Sequence, residues 1–157
     1  MFRKSLFIFG SLLGAAVASA APTASGPVSL TSELKLDRVV TEAGVKKHVL
    51  VTPSKVVPGD MLIFTTSYRN SGAKTITNFV VTNPIPKGTV LASDGFGNFT
   101  ASVDGGKSWG QLASLTVADG KGGRRAAQAT DVTQVRWVIT SIAPGSSGSV
   151  EYHAIVR

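Results

Sequence analysis

Apolar and polar residues alternate along most of this chain. In residues 61–69, Leu62, Phe64, Thr66 and Tyr68 share one side, while Ile63, Thr65, Ser67 and Arg69 share the other. A period of two with aromatic and β-branched residues predicts a half-buried strand. Turn chemistry brackets it: Pro58-Gly59-Asp60 before and Asn70-Ser71-Gly72 after. A weaker alternation at 34–40 predicts a first strand. Residues 45–52 predict its partner, with Thr41-Glu42-Ala43-Gly44 turning between them. Lys46, Lys47 and His48 give that partner a polar edge of the kind that discourages unwanted pairing. Residues 78–82 predict a strand with Phe79 and Val81 inward. In 133–139, Val135, Trp137 and Ile139 fall on one face. The last strand places Val150, Tyr152, Ala154 and Val156 inward, against Glu151, His153 and Arg157 outward.

Shorter extended pieces are predicted at 89–92, 98–103 and 111–118, the last two around a hairpin. Asp94-Gly95-Phe96-Gly97 reads as a turn, and Ala143-Pro144-Gly145-Ser146-Ser147-Gly148 as the turn of a final hairpin. Two prolines in Asn83-Pro84-Ile85-Pro86-Lys87-Gly88 exclude helix and central strand, because proline removes a donor and fixes φ. Helical periodicity is not sustained anywhere after residue 20; Ala126-Ala127-Gln128-Ala129 allows one helical turn. Short strands between Gly/Pro turns predict an all-β antiparallel sandwich. Its expected core includes Leu62, Phe64, Tyr68, Phe79, Val81, Val135, Trp137, Val150 and Tyr152.

The amino-terminal pattern differs. Arg3 and Lys4 precede an apolar run over 6–17, then Ala18-Ser19-Ala20. Basic, apolar, small is the order of a secretory signal peptide. The run falls short of the ~20 residues that span a bilayer. The expectation is a Sec-type signal peptide at 1–20 cut after Ala20, a flexible leader at 21–31, and one domain at 32–157. This implies a periplasmic or secreted protein without a stable membrane anchor after cleavage.

The turn motifs carry a resemblance. Pro58-Gly59-Asp60, the alternating strand and Asn70-Ser71-Gly72 resemble the opening of the DUF11 domain, a conserved repeat of bacterial cell-envelope and surface proteins. Asn78-Phe79-Val80-Val81-Thr82-Asn83-Pro84-Ile85-Pro86-Lys87-Gly88 resembles its second strand and following turn. Ile142-Ala143-Pro144-Gly145 with Gly148-Ser149-Val150-Glu151-Tyr152-His153-Ala154-Ile155-Val156 resembles its last hairpin. The similarity spans roughly 34–157. This sequence departs from the family at Asn83, where Asp is usual, and in having no second copy. The resemblance implies an immunoglobulin-like β-sandwich outside the cytoplasm, in a family mostly of unassigned function; the role expected of this chain is structural or protein-interaction at the cell envelope.

Composition removes several chemistries. The chain has no cysteine, so thiol catalysis and cysteine-ligated metals are excluded and folding relies on packing. The two histidines, His48 and His153, are distant in sequence, whereas zinc needs three or four clustered ligands. Asp94, Asp104 and Asp119 stand singly beside glycines and read as turn residues ahead of calcium ligands. Gly145-Ser146-Ser147-Gly148 lacks the strand-to-helix bend of a nucleophile elbow, and no acid pair stands out for glycoside hydrolysis. No cofactor, metal or catalytic activity is therefore expected.

Two stretches remain as candidates. Ser102-Val103-Asp104-Gly105-Gly106-Lys107-Ser108-Trp109 matches the Asp-box pattern of sialidase-like propellers, a structural hairpin turn. One copy cannot build a propeller. Asp104 is expected to accept backbone amides and Trp109 to staple the turn; the alternative use of Trp109 is stacking on a sugar, as in a carbohydrate-binding module. Lys121, Arg124 and Arg125 lie on a glycine-rich stretch read as a long loop. It lacks the Gly-Lys-Ser/Thr end of a P-loop. With a formal charge of +7, these three are the candidate contacts to an acidic envelope component, the alternative being that the charge only keeps the protein soluble. The expected partner is an envelope protein or surface polymer; no nucleic-acid partner is expected.

Overall fold

The computed structural model describes residues 26–93 and 98–157. The expected signal peptide, residues 21–25 of the expected leader, and the expected turn at Asp94-Gly95-Phe96-Gly97 lie outside the described residues. Within the described residues ten strands run in order: β1 (Val28–Glu42), β2 (Val45–Val51), β3 (Met61–Asn70), β4 (Ile76–Pro84), β5 (Thr89–Leu91), β6 (Thr100–Ser102), β7 (Thr116–Ala118), β8 (Arg124–Ala126), β9 (Gln134–Ile142) and β10 (Ser147–Val156). The larger sheet runs β2-β1-β3-β10-β5, the smaller β4-β9-β6, and β7-β8 form a separate hairpin. Each of these pairings is antiparallel. The chain is the all-β antiparallel sandwich that its alternation predicts.

The core forms where the two inner faces meet. Leu62 and Thr66 of β3 and Val150, Tyr152 and Ala154 of β10 are buried on one side; Val81, Val135, Trp137 and Ala101 are buried on the other. Phe64, Tyr68 and Phe79 pack against this cluster while remaining partly exposed. Phe64 is the direct cross-strand partner of Tyr152, and their rings stack at 4.8 Å and 3°. Trp137 meets Phe99 edge-on at 5.5 Å. Gly148 sits opposite Tyr68, whose ring lies where a β-carbon at 148 would have to go.

Polar bonds tie the sheets together. The Tyr152 hydroxyl donates to Pro84 O (2.9 Å), and Asn83 Nδ2 donates to the Thr66 hydroxyl (2.8 Å). Asn70, the last residue of β3, is fully buried. Its Nδ2 donates to Lys74 O (2.8 Å) and Ile142 O (3.0 Å), and its Oδ1 accepts from Gly72 N (2.9 Å). Its backbone bonds Ser146 O and Gly145 N. One side chain thus joins the end of β3, the β3–β4 connection and the end of β9.

Several local expectations are corrected. Residues 28–31 belong to β1 and are no part of a leader: Val28 pairs with Asn70 and Thr31 with Ser67. Their side chains are largely exposed, so no apolar period marks them, while the edge of β3 supplies backbone partners. Residues 111–118 are not one strand. Leu112–Ser114 form a 3-10 turn, which lets Leu112 and Leu115, three apart, both pack on the core. The helical turn falls on Ala129–Asp131 instead of 126–129. The final turn is no hairpin: β9 and β10 lie in different sheets, so it is an arch between them. Alternation looks the same in both arrangements.

Candidate functional site

The Asp-box turn is built by its own side chains. Ser102 Oγ donates to Asp104 Oδ1 (2.8 Å) and accepts from Gly106 N (2.8 Å). Asp104 Oδ1 accepts from the amides of Lys107 and Ser108, both at 3.0 Å, and Oδ2 from the Ser108 hydroxyl at 2.6 Å. Gly105 and Gly106 take left-handed conformations, φ 75° and 91°, as a turn this tight requires. The Ser108 hydroxyl first, and the Ser108 amide next, hold the Asp104 carboxyl well below the usual carboxylate range. Trp109 staples the turn by donating Nε1–H to Gly106 O (3.0 Å). One face of its indole is covered by the Arg136 guanidinium, 4.4 Å from the ring centroid. A sugar stacked on that face would have to displace Arg136.

The expected basic loop is a hairpin. β7 and β8 pair from Thr116↔Ala126 to Ala118↔Arg124, and Asp119 closes the turn by accepting from Lys121 N (2.8 Å) and Gly123 N (2.9 Å). The three basic residues are not equivalent. Arg124 donates to the Thr116 hydroxyl and carbonyl, both at 2.7 Å. Arg125 makes a bidentate pair with Asp131 at 2.7 Å per bond, so its charge is met within the fold. Lys121, at the tip, is the freest to reach outward. The structure places this hairpin beside the Asp-box turn: Asp104, Ser108, Thr116 and Arg124 line one shallow depression.

The Arg125 bond first, with the Gln128 amide next, lowers the Asp131 carboxyl to about 2. A carboxylate depressed on folding contributes stability that is fully present above its unfolded value, about 3.9, and that is lost as pH falls through the folded value. Asp131→Asn is therefore expected to destabilise the protein near pH 7, and the gap from the parent should close between about pH 4 and about pH 2. Denaturant melts at the two pH extremes check this; a gap that persists in acid would refute it.

The histidines stay apart. His48 Nδ1 lies 2.8 Å from Asp37 Oδ2 on the β1–β2 pair, and His153 Nε2 lies 3.0 Å from Glu151 on β10. β1 and β3 separate their strands. Among the described residues no group of three or more His, Asp or Glu gathers to hold a metal, and no helix is long and apolar enough to cross a membrane.

Two surfaces went unpredicted. The first is the β1–β2 blade. β1 pairs with β3 only as far as Asp37, and Arg38–Glu42 pair with β2 alone, so the blade projects past the end of β3 and is left bare. Val39, Val45, Val49 and Leu50 are 52, 58, 39 and 54% exposed. In the antiparallel register Arg38–Val49 and Glu42–Val45 share one face and Asp37–Leu50 and Val39–His48 the other, so both faces carry apolar side chains. The outer edge of β2 has no strand partner among the described residues. The second is the outer face of the small sheet, where Val80 and Val138 are paired and exposed, next to the row Thr82–Arg136–Thr100. Arg136 is visible in the sequence as an outward residue of a predicted strand, but only the β6–β9 register brings it onto Trp109. Compared with known proteins, the chain matches no family model, no curated sequence and no solved structure.

Proposed function

We propose that this chain is a non-catalytic, exported module of the bacterial cell envelope that works by docking on another protein or a surface polymer. The observation that carries this reading is the bare β1–β2 blade, whose apolar side chains and open edge strand are features a monomeric surface ordinarily avoids. The signal-peptide pattern at 1–20 and the likeness of the turn motifs to DUF11 repeats support export and envelope location. The Asp-box and the basic hairpin spend most of their polar groups on holding their own turns, as expected of a scaffold.

A photo-cross-linking residue placed at Leu50 in the native host tests it. A discrete adduct in the envelope fraction is expected, with none from the same probe at Ser146 on the inter-sheet arch. Recovery of the chain in the cytoplasm with residues 1–20 attached, or equal labelling at the two positions, would defeat the proposal.

A further inference from the structure

Arg136 is a cation without a carboxylate partner among the described residues, on the doubly paired central strand of the small sheet. It sits on β9, the centre of the small sheet, between Thr82 of β4 and Thr100 of β6. Its guanidinium lies on Trp109, and its Nε is buried without a hydrogen-bond partner. Only Nε is shut off in this way, so the terminal nitrogens reach the surface. A guanidinium held flat by an indole, with no internal carboxylate to meet it, is preorganised for an external one, which it can bind bidentately. The Thr82 hydroxyl makes no bond to the described residues, and Thr100 Oγ1 makes a long one, 3.4 Å, to Arg136 O. Thr82 and Thr100 thus stand one strand to either side of Arg136, about 10 Å apart, with the guanidinium leaning over the β6 side onto Trp109. Val80 and Val138 provide an apolar shelf alongside.

We infer that the row Thr82–Arg136–Thr100, backed by Trp109, binds a carboxylate-bearing polysaccharide of the uronic-acid kind. The inference rests on the reading that the module acts by docking, and names a ligand class for a face distinct from the blade. An acidic peptide fits less well. Peptides add to a sheet edge or enter a groove. β9 is bonded on both sides, so this face offers side chains only. A guanidinium for the carboxylate, hydroxyls for ring hydroxyls and a valine shelf for an apolar sugar face match the groups of an acidic glycan.

Affinity electrophoresis of the full chain in polygalacturonate tests the assignment, with fully methyl-esterified polymer and poly-L-glutamate run in parallel. Retardation by polygalacturonate alone is expected. Arg136→Gln should weaken it about tenfold or more, the scale of a lost charge-assisted bond. Arg136→Lys keeps the charge but loses the planar fork, and should also weaken it. The double variant Lys55→Ser/Lys87→Ser removes more charge at exposed positions elsewhere and should change it by no more than about twofold; a loss equal to that of Arg136→Gln would assign the retardation to bulk charge and overturn the proposal. Wild-type retardation in both Arg136 variants would overturn the proposal. Equal retardation by the esterified polymer would remove the carboxylate from it, and Arg136-dependent retardation by poly-L-glutamate would assign the face to an acidic peptide. If Arg136→Gln fails to fold, the lysine variant and Thr82→Val decide. Absence of retardation with the Leu50 adduct intact defeats this inference alone; loss of the adduct defeats the docking role itself.

Discussion

Asn70→Asp should destabilise the domain by about 3 kcal/mol near pH 8, and by less near pH 5. Asn70 Nδ2 donates to two carbonyls, Lys74 O and Ile142 O. A carboxylate of the same shape can donate to neither, and it adds a charge at a position with no exposure. Burial would raise that carboxyl above its unfolded value of about 3.9. The penalty is then full above the raised folded value and is relieved as pH falls through it, because the protonated acid regains one donor. Asn70→Leu removes the pH dependence while keeping most of the loss, since the carbonyls stay unpaired. Equal stability of Asn70→Asp and the parent near pH 8 would mean that the joint between the sheets is not a stabilising centre.

Trp137→Ala is expected to lower stability by about 4 kcal/mol, within the range for a large aromatic lost from a core. Trp137 is 6% exposed and meets both Phe99 and Tyr152, at 5.5 and 6.3 Å. A cavity there would open between the sheets, where neither backbone can move inward without breaking its ladder. Phe64→Ala should cost nearer 3 kcal/mol, or about that, because Phe64 keeps part of its surface in water and loses chiefly its stack on Tyr152. The ordering Trp137 above Phe64 is the measurable point, read from denaturation midpoints at constant slope. The reverse ordering would contradict the packing described.

The inward faces of β3, β4, β9 and β10 were legible because each has one dry side, and a period of two records that directly. Leu62, Val81, Val135, Val150 and Tyr152 were all found in this way. What escaped was set by partners distant in sequence. Val28–Thr31 are in a strand because β3 lies beside them, not because of their side chains. Asn70 reads as a turn residue, and only its placement against Ile142 makes it a buried joint. Arg125 is the exception: Asp131 is only six residues away, but Arg125 reads as a free charge because no alternation marks the turn at Ala129–Asp131 that brings the carboxylate to it. The Asp-box was legible for the bonds that lie within its eight consecutive residues, but not for Thr133, whose hydroxyl accepts from Gly105 N (3.1 Å) and donates to Ser102 O (3.0 Å). Its neighbour Arg136 was not, because Trp109 reaches it only through the pairing of β6 with β9.

The position of β3 at the middle of the large sheet has a consequence for how the molecule is made. One flank of β3 is taken by β1, which precedes it, and the other by β10, far downstream, as the Thr65–Glu151 bond across 86 residues illustrates. A chain emerging from a ribosome or a translocation pore therefore carries an open, half-apolar strand edge until its last strand arrives. Pairings this distant are slow to close. The β2-β1-β3 part and the β7–β8 hairpin can pair early, whereas both sheets of the sandwich are completed only once β9 and β10 have arrived.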